Sequence, residues 1–191
     1  MINITKAILN VIESIQPFDD LEALHVQDAS NWIRTTTDSI FRISKPDKPP
    51  KHLVSYFVVV DEARHSILLI DHIKSGLWLP AGGHVEIDES PAVTVAREAQ
   101  EELGLDAKFS ALTGDQPLMI TVTQTVNGNI HTDVSLWYVL TGDSRVDLDF
   151  DRREMKGYKW FTFDEILKTN IDTLDPHMHR FVNKLQQMLE C

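Results

Sequence analysis

The stretch 82–105 reads GGHVEIDESPAVTVAREAQEELGL, and it concentrates carboxylates in a regular pattern. Ser90 followed by Pro91 predicts a helix start, because a serine hydroxyl can cap free backbone N–H groups and proline at the first helical position loses nothing by lacking one. Gly104 predicts the end of that helix, since glycine readily adopts the left-handed conformation that follows a last turn.

The predicted helix separates acidic from apolar residues. Glu98, Glu101 and Glu102 fall within one arc of about 100°, and the small apolar residues cluster on the opposite side. Three carboxylates at i, i+3 and i+4 repel one another unless a cation lies among them. Mg²⁺ and Mn²⁺ prefer oxygen ligands and complete their shells with water and substrate phosphates. On an arbitrary Glu-rich helix, a solvated acidic face that Arg97 partly neutralises is the commoner arrangement. Here the seven residues at fixed spacing favour a divalent-metal site instead.

The spacing from Gly83 onwards resembles the signature of the Nudix (MutT-like) hydrolases, G-x5-E-x7-R-E-U-x-E-E-x-G-U, in which U is a bulky aliphatic residue. Ala99 departs from the bulky aliphatic but keeps its side of the helix apolar. Weaker family-like features are HLVSYFVVVD, LWLPAGGHVE and YKWFTFDEI, which extend the resemblance over about residues 51–168. The resemblance implies an α/β Nudix fold, in which a mixed β-sheet is sandwiched between helices (α/β/α).

The stretch 83–105, which carries this signature, is called the box below. The resemblance also assigns roles to its charged residues. Glu98, Glu101 and Glu102 would bind Mg²⁺ or Mn²⁺. Arg97 would orient the glutamates through a salt bridge, with Glu89 as the expected partner. Glu89 itself would either support the loop or lie near the metal.

Residues on both sides of the helix complete the expected site. The carbonyl of Gly82 would help to bind the metal, and Gly82 and Gly83 lack side chains that would keep backbone away from metal or phosphate. His84 is a candidate phosphate contact, with hydrogen bonding within the loop as the alternative. The general base would be a box glutamate or a downstream acid, for which Glu154 is the candidate and Asp151 its rival.

The expected function is Mg²⁺-dependent hydrolysis of the pyrophosphate linkage in a nucleoside diphosphate joined to another moiety, such as a nucleoside triphosphate or a nucleotide sugar. One alternative is a non-catalytic nucleotide-sensing or interaction module on the same fold. The other is an enzyme similar to isopentenyl diphosphate isomerase. The enzymes it would resemble use an active-site cysteine, for which Cys191 at the chain end is a poor candidate.

Composition narrows the class of partner. The 191 residues carry a formal net charge of −11 with a pI near 5.1, which argues against general nucleic-acid binding or an anionic membrane surface. A small phosphorylated substrate is still compatible if metal ions supply positive charge. A single cysteine excludes an intrachain disulfide and suits a reducing cytoplasm. The N-terminus shows neither a secretion signal nor a membrane span.

The pattern of apolar residues predicts two parts. Residues 1–50 form a helical extension that ends in the linker KPDKPPK, and residues 51–191 form the Nudix domain. Helices are expected from about residue 4, from Asp19 or Asp20, and over 29–35. We expect the extension to pack against the core, with homodimerisation or covering of the site as the alternatives.

Strands are predicted for the middle of the chain and further helices for its end. The strands are 53–60, 66–71, 107–112, 119–126, 132–140 and 157–161. Residues 53–60 and 66–71 should form one hairpin. Asn127-Gly128 is a strong two-residue turn that would join the strands on either side of it. Helices are expected at 164–168 and 175–189.

Overall fold

The computed structural model describes residues 4–45, 47–125 and 130–190. These residues form seven strands and five α-helices. The strands are β1 (Lys51–Asp61), β2 (Ser66–His72), β3 (Trp78–Leu79), β4 (Ala81–His84), β5 (Met119–Gln124), β6 (Thr132–Thr141) and β7 (Met155–Thr162). The helices are α1 (Ile4–Ser14), α2 (Asp20–Thr35), α3 (Pro91–Leu103), α4 (Phe163–Lys168) and α5 (Met178–Leu189).

Strand β1 lies at the centre of one mixed sheet, whose main path runs β3-β2-β1-β6-β5. It pairs in parallel with β6 along one edge and antiparallel with both β4 and β2 on the other. Almost every residue of β1 is buried, as expected for a strand that is covered on both faces. The chain therefore uses β1 to hold β4, which leads into α3, in a fixed position.

Helices cover both faces of this sheet. Ile12 of α1, Ala29 of α2 and Val95 of α3 belong to the apolar core on one face. Ile166 of α4 and Phe181 of α5 belong to the core on the other face. The predicted α/β/α arrangement is confirmed, with α2 packed against β5 of the sheet and α1 packed against α2. Within the described ranges, no helix is both long and apolar enough to cross a membrane.

Most predicted elements are confirmed within a few residues, including the hairpin of β1 and β2. The separate helix at 29–35 is the second half of α2. The predicted turn at Asn127-Gly128 lies outside the described residues, as does Cys191, although β5 and β6 do pair antiparallel.

The predicted strand at 107–112 is wrong. Phe109 makes a single bridge to Leu140 of β6. The chain then turns at Ser110, whose hydroxyl oxygen accepts a hydrogen bond from the N–H of Leu112 and whose O–H donates one to the carboxylate of Glu62. A side chain that bonds its own backbone in this way competes with the ladder of a sheet, so the apolar residues of this segment do not extend the pairing.

Candidate active site

Helix α3 begins and ends at the residues that the sequence indicated. The Ser90 hydroxyl accepts a hydrogen bond from the N–H of Val93 at 3.3 Å, and Gly104 has a φ of 61°. The apolar face of the helix is buried, with Val95, Ala99 and Leu103 at 0% exposure. Packing of that face fixes the rotation of α3 and turns its glutamates towards β4.

The two glycines of β4 are required for different reasons. Gly82 has a φ of 144°, and a Cβ there would overlap the backbone of Ser55 in β1. A Cβ at Gly83 would instead overlap the carboxylate of Glu98. Gly82 thus permits the pairing of β4 with β1, and Gly83 leaves room for the Glu98 carboxylate.

Arg97 connects the acids of the box. Its Nε and Nη2 donate to the two carboxylate oxygens of Glu89, both at 3.1 Å. Its Nη1 lies 2.6 Å from Glu98 Oε1 and 3.4 Å from Glu101 Oε2. Burial opposes ionisation of Glu89, but hydrogen bonds from Arg97 and Thr94 outweigh it and keep the pKa of Glu89 below its usual range. Glu89 is therefore an anchor for the guanidinium.

Glu102 is the most deeply placed of the three metal-ligand candidates. It is 6% exposed, and its Oε2 accepts a hydrogen bond from the N–H of Gly82 at 2.9 Å. Burial raises the pKa of Glu102 to about 8, and the charges of Glu98 and Glu154 act in the same direction. Burial also raises the pKa of Glu98, against the opposing effect of Arg97.

An open cavity of about 220 Å³ brings the box together with a distant loop. Its lining consists of Glu98, Glu101, Glu102, Asp151, Arg153 and Glu154. The loop is held in place by a backbone hydrogen bond of 2.9 Å from Asp151 N–H to the carbonyl of Glu102. Both base candidates, which lie some fifty residues beyond α3 in the sequence, thus lie beside the glutamates.

The two base candidates differ in their surroundings. Both oxygens of Asp151 accept hydrogen bonds from the Arg153 guanidinium, at 2.5 to 3.0 Å, and this pairing lowers the pKa of Asp151 to about 2. Glu154 is exposed at the cavity. Among the described residues, no hydrogen bond is made to its carboxylate.

His84 is turned away from this cavity. Successive residues of a strand point to opposite faces, and Gly83 faces Glu98, so the His84 side chain points to the other face of β4. Its ring centroid lies 4.8 Å from that of His52 in β1. Burial lowers the pKa of His84 to about 4. Only its backbone carbonyl meets the box, where it accepts a hydrogen bond from Arg97 at 3.3 Å.

The donor set of the cavity fits a hard divalent cation. Five of its six lining side chains are carboxylates, and carboxylate oxygen is the ligand type that Mg²⁺ and Mn²⁺ prefer. Ionised carboxylates as buried as Glu98 and Glu102 are unfavourable unless they are paired or coordinate a metal. A cation in the cavity would remove that penalty.

Comparison with known proteins agrees with this fold. A sequence model described as the NUDIX domain matches residues 51–185. The chain therefore belongs to the Nudix family, a family of hydrolases. It is 41% identical over 66 residues to a MutT-like protein of Streptomyces ambofaciens, a match that covers 35% of this chain and 43% of the relative. The chain thus matches less than half the length of that protein.

Solved structures share the fold at low sequence identity. A NUDIX-family hydrolase from Clostridium perfringens is 21% identical with a TM-score of 0.56, over 72% of this chain and 97% of that one. The NUDIX domain of Shewanella oneidensis NrtR, crystallised with ADP ribose, is 15% identical with a TM-score of 0.57, over 84% and 97% of the two chains.

Proposed function

We propose that this chain is a Mg²⁺- or Mn²⁺-dependent pyrophosphohydrolase that cleaves the pyrophosphate linkage of a nucleoside diphosphate joined to another moiety. Nucleoside triphosphates and nucleotide sugars belong to this substrate class. The observation that carries the proposal is the shared cavity, in which Glu98, Glu101 and Glu102 of one helix meet Asp151 and Glu154 of a distant loop.

Glu98, Glu101 and Glu102 would hold the ion, with the carbonyl of Gly82 as a further ligand. A bound divalent ion makes a water molecule more acidic and offsets negative charge on phosphoryl oxygens. The chain positions its ligands in advance: the N–H of Gly82 holds Glu102, and Arg97 holds Glu98 and Glu101 while Glu89 anchors Arg97. Gly83 and the backbone of His84 border this arrangement. A phosphate contact of His84, which stays a prediction, would therefore involve its backbone, because its ring points to the other face of β4.

Glu154 is the preferred general base. A base must accept a proton from the attacking water within hydrogen-bond reach. The Asp151 carboxylate is already paired with Arg153, and its low pKa makes it a poor proton acceptor. Glu154 faces the same cavity with an exposed carboxylate.

We propose a small-molecule substrate and, from the single cysteine of the sequence, action in the cytoplasm. The substrate panel should include nucleoside triphosphates, nucleotide sugars, dinucleotides and ADP-ribose, which is bound by the similar NUDIX domain of Shewanella oneidensis. Released phosphate, pyrophosphate or nucleotide is measured with Mg²⁺, with Mn²⁺ and with chelator. Metal-dependent cleavage of one compound well above the others supports the proposal.

Replacement of Glu102 by glutamine tests the metal ligands directly. The amide oxygen can still accept the hydrogen bond from Gly82, so we expect the fold to persist. Loss of the negative ligand should lower turnover by about a hundredfold or more. Asp164→Asn, at an exposed carboxylate on α4, is the control and should leave turnover unchanged.

Two outcomes contradict the proposal. If Glu102→Gln hydrolyses substrate at the wild-type rate, Glu102 is not a metal ligand. A folded protein that binds a nucleotide of the panel without cleaving any of them would favour a nucleotide-sensing module on the same fold.

A further inference from the structure

Three histidines and one aspartate converge on the side of β4 that faces away from the acidic cavity. They are Asp47, His52, His84 and His131, and one potential ligand atom from each lies within 4.8 Å of those of the others. The ring centroids of His52 and His131 are 5.1 Å apart, and those of His52 and His84 are 4.8 Å apart. We call these four residues the histidine cluster.

The sheet pairing brings the cluster together. His52 lies near the start of β1, and β1 pairs antiparallel with β4, where Val54 is opposite His84. On the other edge β1 runs parallel to β6, so His52 is opposite Asp133 and next to His131, which immediately precedes β6. Asp47 comes from the loop before β1. Four separate parts of the chain thus contribute to one point.

Within the described part of the chain, the buried ring of His52 leaves one nitrogen without a hydrogen-bond partner. His52 is 0% exposed, and its Nδ1 lies 2.8 Å from the carbonyl oxygen of Pro49. A carbonyl can only accept, so Nδ1 carries a proton, and in the neutral ring Nε2 presents a lone pair to the cluster. Among the described residues, the buried Nε2 has no hydrogen-bond partner, and the same holds for His84 Nε2.

Asp133 adds a second electron-rich group at the same point. Its Oδ1 lies 3.4 Å from His52 Nε2 and 3.2 Å from His131 Nε2, yet this buried oxygen is not aligned for a hydrogen bond with a described residue. Buried polar atoms are nearly always satisfied in folded proteins. A cation among these atoms would satisfy His52 Nε2, His84 Nε2 and Asp133 Oδ1 together.

We propose that the histidine cluster binds a transition-metal ion of the Zn²⁺ class at a site separate from the acidic cavity. Imidazole nitrogens suit Zn²⁺ and its neighbours, whereas Mg²⁺ prefers an all-oxygen shell. Ligands of a tetrahedral site with bonds of about 2.0–2.2 Å lie about 3.3 Å apart, so the side chains would close around the ion by about 1 Å. The bond from His52 Nδ1 to a backbone carbonyl is the outer contact that ligating histidines usually make.

The ion would connect Asp47 with β1, β4 and the residue that precedes β6. It would lie next to Gly83, because His84 directly follows that residue and the His84 carbonyl accepts a hydrogen bond from Arg97. The role is therefore positional: the ion fixes the end of β4 from the face opposite the box. This inference does not depend on the proposed hydrolase activity.

The test is the binding of Zn²⁺ and Co²⁺ to metal-stripped protein in excess Mg²⁺, which occupies oxygen-rich sites. We expect one Co²⁺ per chain with the intense visible absorption of a tetrahedral nitrogen-containing shell, displaced by Zn²⁺, and a Zn²⁺-dependent rise in the thermal midpoint. His52→Gln and His131→Gln should each weaken Zn²⁺ binding by at least about tenfold and abolish the absorption. Glu98→Gln should retain both, as should His65→Asn, a control at an exposed histidine.

Either of two results overturns the proposal. One is a weak six-coordinate Co²⁺ spectrum that disappears in Glu98→Gln, which would place the ion in the acidic cavity. The other is Zn²⁺ affinity that is the same in the wild type, His52→Gln and His131→Gln. If His52→Gln fails to fold, as judged by circular dichroism, the half-buried His131 decides the question.

Discussion

Gly82 and Gly83 are adjacent, yet a methyl group would act differently at each. At Gly82 it would meet the backbone of Ser55, which cannot move without breaking the pairing of β4 with β1. At Gly83 it would meet the end of the Glu98 side chain, which can rotate away. The first glycine therefore serves the fold and the second the site.

We predict that Gly82→Ala lowers the free energy of unfolding by about 3 kcal/mol or more, because it combines strain at positive φ with a backbone clash. Gly83→Ala should cost less than about 1 kcal/mol but lower turnover about a hundredfold, since displacement of a positioned group by 1 Å can have that effect. Urea denaturation and the hydrolysis assay measure the two quantities. Gly157→Ala, where no atom lies within 4 Å of the added methyl, is the control for both. If Gly82→Ala and Gly83→Ala lower the free energy of unfolding equally, the assignment of Gly82 to the fold and Gly83 to the site is wrong.

The sequence predicted the residues of the box but not the histidine cluster, and the difference is one of distance along the chain. Glu98, Glu101 and Glu102 share a face of one helix, so their spacing alone brings them together. His52, His84 and His131 are separated by tens of residues and meet through the pairing of β1 with β4 and β6. No local pattern encodes that meeting. Glu154, which lies at the cavity, was predicted as a downstream acid because the resemblance to the family implies one.

At the scale of elements, the start of α2 is tied to α5. Asp19 caps α2 by accepting a hydrogen bond from the N–H of Glu22 at 2.8 Å. The same carboxylate accepts two hydrogen bonds from Arg180 of α5, at 2.6 and 2.7 Å. The Arg180 guanidinium lowers the pKa of Asp19 to about 2. Because this folded-state pKa is below the unfolded value, the pair stabilises the fold above about pH 4 and loses its effect as the pH falls towards 2.

We predict that Asp19→Asn, which keeps a capping side chain, lowers the free energy of unfolding at pH 7 by about 1 kcal/mol, a value reduced for solvent screening of a partly exposed pair. The difference in the free energy of unfolding between the wild type and Asp19→Asn should be smaller at pH 3 than at pH 7. His177, which contacts Arg180, has a pKa lowered by burial to about 4 and titrates in the same range. His25, whose ring lies 5.5 Å from that of His177, also faces Asp19. The wild type and Asp19→Asn both contain these two histidines. The difference between their denaturation curves at each pH therefore reports the contribution of the Asp19 carboxylate. A gap that stays constant from pH 7 to pH 3 would contradict the assignment.

Elements defined by local signals were predicted well. Ser90, Pro91 and Gly104 mark both ends of α3, and alternating or continuous apolar runs mark β1, β2 and β6. The segment 107–112 also contains apolar residues, but the Ser110 side chain turns it away from β6 after one bridge. Whether an apolar segment becomes a strand depends on the pairing partners available to it, and composition does not reveal those partners.

At the scale of the molecule, residues before 51 contribute to the same core as the Nudix domain. Glu22 of α2 is 0% exposed, and its carboxylate accepts hydrogen bonds from the N–H of Ile120 in β5 at 3.3 Å and from Lys184 of α5 at 2.7 Å. Lys184 also donates to the carbonyl of Gln16 at 2.7 Å. A buried charge that loses its partner is strongly destabilising. We therefore propose that the extension is an integral part of the fold, although the family match begins at residue 51.

Deletion of residues 1–50 should abolish cooperative folding of the remainder. The deletion would remove the buried side chains of Ile8, Ile12 and Ile33, each worth about 1.5–3 kcal/mol, and would leave Lys184 without Glu22. The three isoleucine contributions together approach the 5–15 kcal/mol that stabilises a typical domain. Thermal unfolding followed by circular dichroism should show a cooperative transition for the intact chain and none for residues 51–191, with partial recovery when the 1–50 peptide is added. A fragment that unfolds cooperatively at the same midpoint, and hydrolyses the same substrate, would show that the extension is an appendage.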